Sequence, residues 1–225
     1  MSRTAVVVPG RGQMANLRER KKADTRTRLS VAAVELLVAE GAEGATVSAI
    51  ADRAGVSTRT FHNYFAHREG AFVHFLREQV AEWVRRVDRA PAGMSPLDVL
   101  RSIFRESYGR SQDDIVAAEN LLVLGEQVML LMGDEEHPCA ESILDPLYEA
   151  VCRRAPHLSA FRVRVLLDLG LAAGASVLRH QPPAGEPGRD DAVHDPAHYL
   201  DEAFDLLARG TGQEFRDDSD QRGTD

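Results

Sequence analysis

Only two cysteines occur among 225 residues, Cys139 and Cys152. A single pair cannot supply the disulfide framework of a small secreted scaffold. Both fall within one expected helix, too far apart along its axis to bond, and read as reduced packing residues. A redox sensor is the alternative reading. Long apolar runs are missing too. None approaches the roughly 18–20 residues that span a bilayer. Ala5 to Val8 is too short for the core of a signal peptide. These absences point to a cytoplasmic protein with no membrane partner. There is no P-loop, GxGxxG, GxSxG or HExxH motif, so the chain carries none of the local signatures of nucleotide-dependent, hydrolase or zincin chemistry. His194 and His198 lie four apart, but Pro196 between them opens a helix, which argues against a shared metal. The expectation is a non-enzyme with no catalytic residue, no metal and no cofactor. No internal repeat is visible.

What is present is charge of two signs, separated along the chain. The net charge is −8. Residues 1–70 hold 11 Lys+Arg against 7 Asp+Glu, whereas the remainder holds 16 against 28. The N-terminal third is basic and the rest is acidic. At 225 residues the chain can bury a sizeable core in one or two domains.

The basic third contains the most informative stretch, TVSAIADRAGVSTRTFHNYF, from Thr46 to Phe65. Thr46 suits an N-cap, its hydroxyl reaching the N–H of Ser48 or Ala49. Val47, Ile50, Ala51 and Ala54 follow at helical spacing. Gly55 takes the left-handed conformation that ends a helix. Val56 packs back under the pair. Ser57 is a second N-cap, aimed at Arg59 or Thr60. A second helix then covers Thr58 to Phe65, with Phe61 and Phe65 sharing its buried side. Thr58, Arg59, His62 and Asn63 fall on the other side. Two helices joined by a tight turn, the second polar outward and aromatic inward, form the unit that enters a DNA major groove. Arg59 suits guanine O6 and N7, and Asn63 suits adenine. Thr58 and His62 suit base edges or thymine methyls. Thr60, Tyr64 and the first N–H groups of the helix suit phosphate oxygens. A structural helical hairpin with no DNA partner is the alternative.

From Asp24 to Leu76 the chain resembles the TetR family of bacterial transcriptional regulators. The resemblance rests on an amphipathic first helix, a loop holding Gly41 and Gly44, then Thr46, AIADRAGVSTRTFHNYF and the pair Arg68-Glu69. Family members commonly carry Tyr at the position of His62 and Lys at that of Arg68. Both replacements keep a donor. The resemblance implies an all-α homodimer with an N-terminal three-helix helix-turn-helix domain and a helical ligand-binding and dimerisation domain. It implies a DNA-binding set of Arg26, Thr46, Ser57, Thr58, Arg59, Thr60, His62, Asn63, Tyr64 and Arg68. The partners are then double-stranded DNA, a second copy of the chain and a small-molecule effector. A dimer has independent motivation, because one short recognition helix reads too few bases.

Outside this stretch the expected organisation is as follows. Residues 1–17 form a disordered extension, in which Met14 is a second candidate start. Residues 18–70 form the DNA-binding domain, 71–209 the helical domain and 210–225 a disordered tail. About nine helices are expected. Arg18, Arg20, Lys21, Lys22, Arg26 and Arg28 make a basic arm that follows the DNA backbone or reaches the minor groove. A solvated charged tail is the alternative. Helix 1 runs from about Thr25 to Glu40 on Leu29, Ala32, Ala33, Leu36 and Leu37. Helix 4 runs from Arg68 to about Arg89, and helix 5 from Pro96 to Tyr108. A further helix opens at Ser111 with acids in its first turn and runs apolar nearly all round to Met132, with Gly125 as a possible break. Cys139 to Arg154 is a helix kinked at Pro146. Phe161 to His180 and Pro196 to Leu207 are the last two. In TetR-like proteins two such helices pair with their symmetry mates, and the small residues Gly170, Ala173, Gly174 and Ala175 permit close approach. The alternative is that Phe161 to His180 is the domain's own core helix. Trp83, Phe104, Tyr108, Asn120, Gln127, Met129 and Met132 are the candidate ligand-lining residues. The aromatic and Met side chains suit an apolar or aromatic molecule, and Asn120 and Gln127 suit its orientation.

The function this supports is a dimeric, ligand-responsive regulator, a repressor released from a pseudo-palindromic operator by a small molecule. The competing readings are an all-α small-molecule-binding protein or enzyme carrying a structural hairpin, and a regulator controlled by a protein partner.

Overall fold

The computed structural model describes residues 11–111, 114–131, 143–180 and 196–210, with residues 11–17, 119, 129 and 131 described by backbone alone. Among the described residues there are nine helices and no strand. They are α1 (Arg11–Gly44), α2 (Val47–Arg53), α3 (Thr58–His62), α4 (Arg68–Arg89) and α5 (Pro96–Tyr108). Then follow α6 (Ala118–Leu131), α7 (Asp145–Arg154), α8 (Ala160–His180) and α9 (Pro196–Arg209). Two compact units divide at Phe75 and Leu76, inside α4 and a few residues beyond the expected boundary.

The N-terminal unit is built on aromatic and small apolar side chains. Leu29, Ala33, Leu37, Ile50, Phe61 and Phe72 are buried, as are Phe65 and Phe75. Each such Phe contributes about 1.5–3 kcal/mol by leaving water. The helix α1 is longer than its apolar period suggests. It begins at Arg11, ahead of the expected start near Thr25. The reason is composition: Gln13, Met14, Ala15, Leu17 and the Arg, Lys and Glu that follow are good helix formers whether or not they are buried. An apolar period marks only the packed part of a helix. Gly41 interrupts α1 with φ 73°, a conformation that would strain any residue with a Cβ.

In the C-terminal unit α5 packs against α6, α8 and α9, and α7 and α9 also pack on α8. Leu100, Ile103, Leu124, Leu147, Leu200 and Phe204 are fully buried at its centre. The helices α4 and α5 keep their expected bounds, because their ends carry strong local signals. Ser95 caps α5, its Oγ accepting from the Asp98 N–H at 3.1 Å, with Pro96 in the first turn. The carbonyls at the end of α4 and in the following turn are satisfied by Arg154 of α7. Its guanidinium donates to Val87 O at 3.2 Å, Ala90 O at 3.1 Å, Met94 O at 2.8 Å and Pro91 O.

Three expectations need correction. The helix expected from Ser111 begins only at Ala118, because Asp114 turns the chain first. Its carboxylate accepts from the Val116 N–H at 3.1 Å, and its carbonyl accepts from Asn120 Nδ2 at 2.9 Å. Gly125 does not break α6. Pro146 does not kink a helix but sits in the first turn of α7, which starts at Asp145 after the non-helical Ile143 and Leu144, and its missing N–H costs nothing there. Cys139, Met132, His194, the Pro- and Gly-rich segment 181–191 and the tail 211–225 lie outside the described residues. Cys152 is a free, half-buried thiol.

The small residues of α8 are used within the subunit. A Cβ on Gly170 would lie 3.0 Å from Leu100 Cδ1, and one on Gly174 would lie 2.5 Å from Phe104 Cε1. Both glycines let α8 close onto α5. The opposite side of α8 leaves Phe161 76% exposed and Leu169 48% exposed.

A chain of ion pairs ties α4, α5 and the turn before α6. Glu82 pairs with Arg86, Arg86 with Glu106, Glu106 with Arg110 and Arg110 with Asp114. Hydrogen bonding from Arg86 lowers the Glu106 pKa below its usual 4.5, and the Val116 N–H, then Arg110, lower that of Asp114 below 3.8. A carboxylate with a lowered folded pKa stabilises the fold above its unfolded pKa and loses that contribution as pH falls. The contribution of these two carboxylates should therefore be constant above about pH 5. It should fall as the pH drops below the usual values of 4.5 and 3.8, and Glu106→Gln should flatten the decline in a pH series of urea melts.

The two kinds of helical glycine predict opposite outcomes. Gly174→Ala forces the Phe104 ring to move and should cost about 1–3 kcal/mol. Gly125→Ala meets nothing within 4 Å and should stabilise α6 by about 0.5–1 kcal/mol. Urea unfolding of the two variants measures both signs.

Candidate functional site

The caps that shape the helix-turn-helix are in place. Thr46 Oγ1 accepts from the Ala49 N–H at 3.2 Å and Ser57 Oγ from the Thr60 N–H at 3.1 Å. Gly55 has φ 67° and its N–H donates to Asp52 O at 3.0 Å, while the Val56 N–H closes on Ala51 O at 2.9 Å. These bonds let the chain reverse within a few residues and start α3. The helix α3 is shorter than expected. It ends at His62, and the next N–H groups bond three residues back, Asn63 to Thr60 O at 3.1 Å and Tyr64 to Phe61 O at 2.9 Å. Such tighter bonds commonly finish a helix.

Two sides of α3 differ sharply. Phe61 is fully buried and Phe65 nearly so, with ring centroids 5.7 Å apart. Thr58, Arg59, His62 and Asn63 are exposed, and Thr60 and Tyr64 are half-buried. The Thr60 hydroxyl lies 2.9 Å from Ser57 Oγ, so its first partner is the cap rather than solvent. Thr46 and Ser57 are exposed at the caps they form.

Two members of the expected set stand apart from this face. The Arg26 guanidinium lies 5.1 Å over the Phe65 ring, a cation–π contact that holds its stem against the domain. Arg18, Lys22 and Arg26 continue N-terminally the stripe of α1 that later carries Leu29, Ala33 and Leu36, so the core-facing side of α1 turns basic where the core ends. Arg68 is directed inward. Its Nη1 donates to Ala42 O at 2.5 Å and Ala45 O at 3.3 Å, and its Nε pairs with Glu69 at 3.1 Å. It fastens the loop between α1 and α2 to the start of α4. The sequence pattern does not distinguish such an Arg from a phosphate-binding one, because both sit beside the motif with the same charge.

A cavity of about 210 Å³ lies in the C-terminal unit. Trp83 of α4 and Phe104, Ser107 and Tyr108 of α5 form one part of its wall. Ala118, Leu121 and Leu122 of α6 and Leu171, Gly174, Ala175 and Leu178 of α8 form the rest. Of the expected lining residues the structure brings together Trp83, Phe104 and Tyr108. Asn120 bonds the Asp114 carbonyl and does not line the cavity, and neither does the half-buried Gln127. The Met129 side chain and Met132 lie outside the described residues. The sequence reading missed the leucines and small residues of α6 and α8. Their period marks them as apolar, but only the packing of four helices shows which of them flank a void. Among the described residues no group of three His, Cys, Asp or Glu side chains could hold a metal, and no helix is long and apolar enough to cross a membrane.

Comparison with known proteins matches the two units unequally. The family described as bacterial regulatory proteins, tetR family, matches residues 29–73, the segment holding α2, α3 and the packed part of α1. The HTH-type transcriptional regulator TcmR of Streptomyces glaucescens is 35% identical over 97 residues, which is 43% of each chain. The matched segment thus spans less than half the length of that relative. Thermus thermophilus FadR, a TetR-family transcriptional repressor solved in complex with lauroyl-CoA, is similar over 83% of this chain and 94% of its own. Its identity is 25% and its TM-score 0.53. Bacillus halodurans FadR, a fatty acid degradation regulator, shares the fold at 14% identity and TM-score 0.57, over 83% of this chain and 96% of its own. The capped helix-turn-helix thus lies in the segment that matches the tetR family, and the described helices as a whole are similar in fold to these regulators.

Proposed function

We propose that this chain is a transcriptional regulator that binds a pseudo-palindromic operator as a homodimer and is released from it by a small molecule. The observation that carries the reading is the division of α3, with Phe61 and Phe65 buried and Thr58, Arg59, His62 and Asn63 open to solvent. Arg59 reads guanine through two hydrogen bonds, Asn63 reads adenine, and Thr58 and His62 meet the remaining base edges. Thr46, Ser57, Thr60 and Tyr64 lie around this face and serve the phosphates, and Arg26, set apart on α1, follows the DNA backbone. Arg68 holds the α1–α2 loop and acts by positioning. The acidic remainder of the chain is compatible with DNA binding, since salt screens charges beyond about 8–10 Å.

A second copy supplies the other half-site. Two recognition helices then enter successive major grooves about 34–36 Å apart. The exposed face of α8 supports the pairing surface: Phe161 and Leu169 stand eight residues apart on one side of that helix, and large apolar groups left in water favour association. The TetR-family FadR of Thermus thermophilus was solved with lauroyl-CoA, which supports a ligand-responsive reading of the cavity here. Trp83 connects the two functions. It lines the cavity and belongs to α4, the helix whose first turns carry Phe72 and Phe75 of the N-terminal core. A coupling of about 1–3 kcal/mol between ligand and DNA shifts operator affinity roughly 5–150-fold.

An operator recovered by selection from random DNA tests the reading set. Arg59→Ala should weaken specific binding by about 1–3 kcal/mol in a gel-shift titration while leaving non-specific binding nearly unchanged. Equal operator affinity in the variant removes Arg59 from the reading set. For the dimer, Phe161→Glu with Leu169→Glu should convert the sedimenting species to a monomer and abolish operator binding. A dimer persisting in that double variant places the interface elsewhere.

A further inference from the structure

We propose that the cavity of the C-terminal unit takes a compact, uncharged, planar apolar molecule, an aromatic or fused-ring compound rather than an anionic acyl chain. The inference deepens the ligand-responsive reading above and rests on it for the regulatory consequence, but not for binding itself.

The wall chemistry carries the argument. The described residues around the cavity are aliphatic or aromatic except for two hydroxyls. Those hydroxyls are turned onto backbone: Ser107 Oγ donates to Ile103 O at 3.2 Å, and Tyr108 Oη to Gly174 O at 2.6 Å. Arg179 follows Leu178 along the chain but does not line the cavity, and the cations near Trp83, Phe104 and Tyr108 have carboxylate partners: Arg105 meets Asp201 at 2.6 Å. Arg86 Nη2 meets Glu106 at 2.8 Å, and Arg110 meets Glu106 at 3.0 Å and Asp114 at 2.7 Å. A carboxylate or phosphate entering this wall would lose its water without gaining a cation, and an unpaired buried charge is strongly disfavoured. A neutral apolar guest loses nothing comparable.

Shape points the same way. The rings of Trp83 and Phe104 stand 6.4 Å apart between centroids, their planes inclined by 44°. A flat guest beside them makes offset or edge contacts at the spacing aromatic pairs prefer, about 4.5–7 Å between centroids. Phe104 cannot retreat easily toward α8. Gly174 lies so close that even a Cβ there would overlap the ring, and Phe204 lies 6.1 Å away on another side. The wall is therefore firm where the guest stacks. At about 210 Å³ the cavity falls below the roughly 300 Å³ at which drug-sized sites begin, so the guest is compact.

Trp83 is the one tryptophan of the chain, so its emission reports on the cavity directly. The test titrates the full-length protein at pH 7 with 2-naphthol, with 2-naphthoate and with laurate. Calorimetry gives the affinities, and Trp83 emission gives the location. The expected result is that 2-naphthol binds at least tenfold more tightly than either anion and alters Trp83 emission. Ala118→Phe, which fills the cavity from α6, should remove that binding. Ser107→Phe, which fills it from α5, keeps the test open if the first variant does not fold, as judged by helical circular dichroism. Laurate or 2-naphthoate binding as tightly as 2-naphthol overturns the proposal. So does 2-naphthol affinity that is unchanged in a folded cavity-filled variant. Operator affinity is read separately: tight 2-naphthol binding in the cavity with no change in operator affinity supports the ligand class and removes the release mechanism instead.

Discussion

The helix α3 has five residues, too few to be stable in water on its own. It exists because Phe61 and Phe65 are taken into the N-terminal core, and because Ser57 satisfies the Thr60 N–H at its start. That anchoring also decides orientation. On so short a helix, burying Phe61 and anchoring the chain again at Phe65 just beyond it leaves Thr58, Arg59, His62 and Asn63 facing outward. Arg59 and His62 are presented because Phe61 is not. The rest of the unit serves this arrangement. Gly55 reverses the chain, Ile50 and Ala51 supply the apolar floor, and Arg68 ties the α1–α2 loop down from the far side. A loss of packing at Phe61 would therefore remove the polar face without touching a polar residue.

The C-terminal unit uses close approach differently. Gly170 and Gly174 bring α8 onto α5, and that approach defines one side of the cavity. The same helix leaves Phe161 and Leu169 in water on its other side. One helix thus has a small-residue face turned to its own subunit and a large-residue face turned away. Arg154 meanwhile bonds the carbonyls at the C-terminal end of α4, the helix that carries Trp83 at the cavity and Phe72 in the N-terminal core.

Much of this was legible in the sequence where the signal is local. Thr46, Gly55 and Ser57 each act through neighbours two to five residues away, and the structure places their bonds where that chemistry requires. Pro96 and Ser95 mark the start of α5 for the same reason. The misread elements are those whose outcome depends on something distant or on a competing local motif. Asp114 looked like an acid in a first helical turn, but it bonds the Val116 N–H and makes a turn of its own. Pro146 reads as a kink only where a helix precedes it, and Ile143 and Leu144 are not helical. Charge and position beside the motif do not distinguish Arg68, which bonds the Ala42 and Ala45 carbonyls, from a phosphate-binding arginine. Gly174 is legible as a residue of close helix approach, whereas its neighbour Phe104 is visible only in the packing. The cavity was half legible: its aromatic residues stand out by type, whereas Leu121, Leu171 and Leu178 differ from core leucines only by what they fail to touch.

The central claim is that the polar side of α3 lies in the major groove of DNA. Its most direct measurement tethers an iron chelate to Asn63→Cys, in a chain whose Cys139 and Cys152 are replaced by Ser, and maps hydroxyl-radical cleavage of the bound operator. The account predicts two clusters of cleavage, one per half-site, about 34–36 Å apart along the duplex, with none from a chelate at Arg164→Cys on α8. Cleavage that is absent from position 63, or equal from position 164, would contradict it.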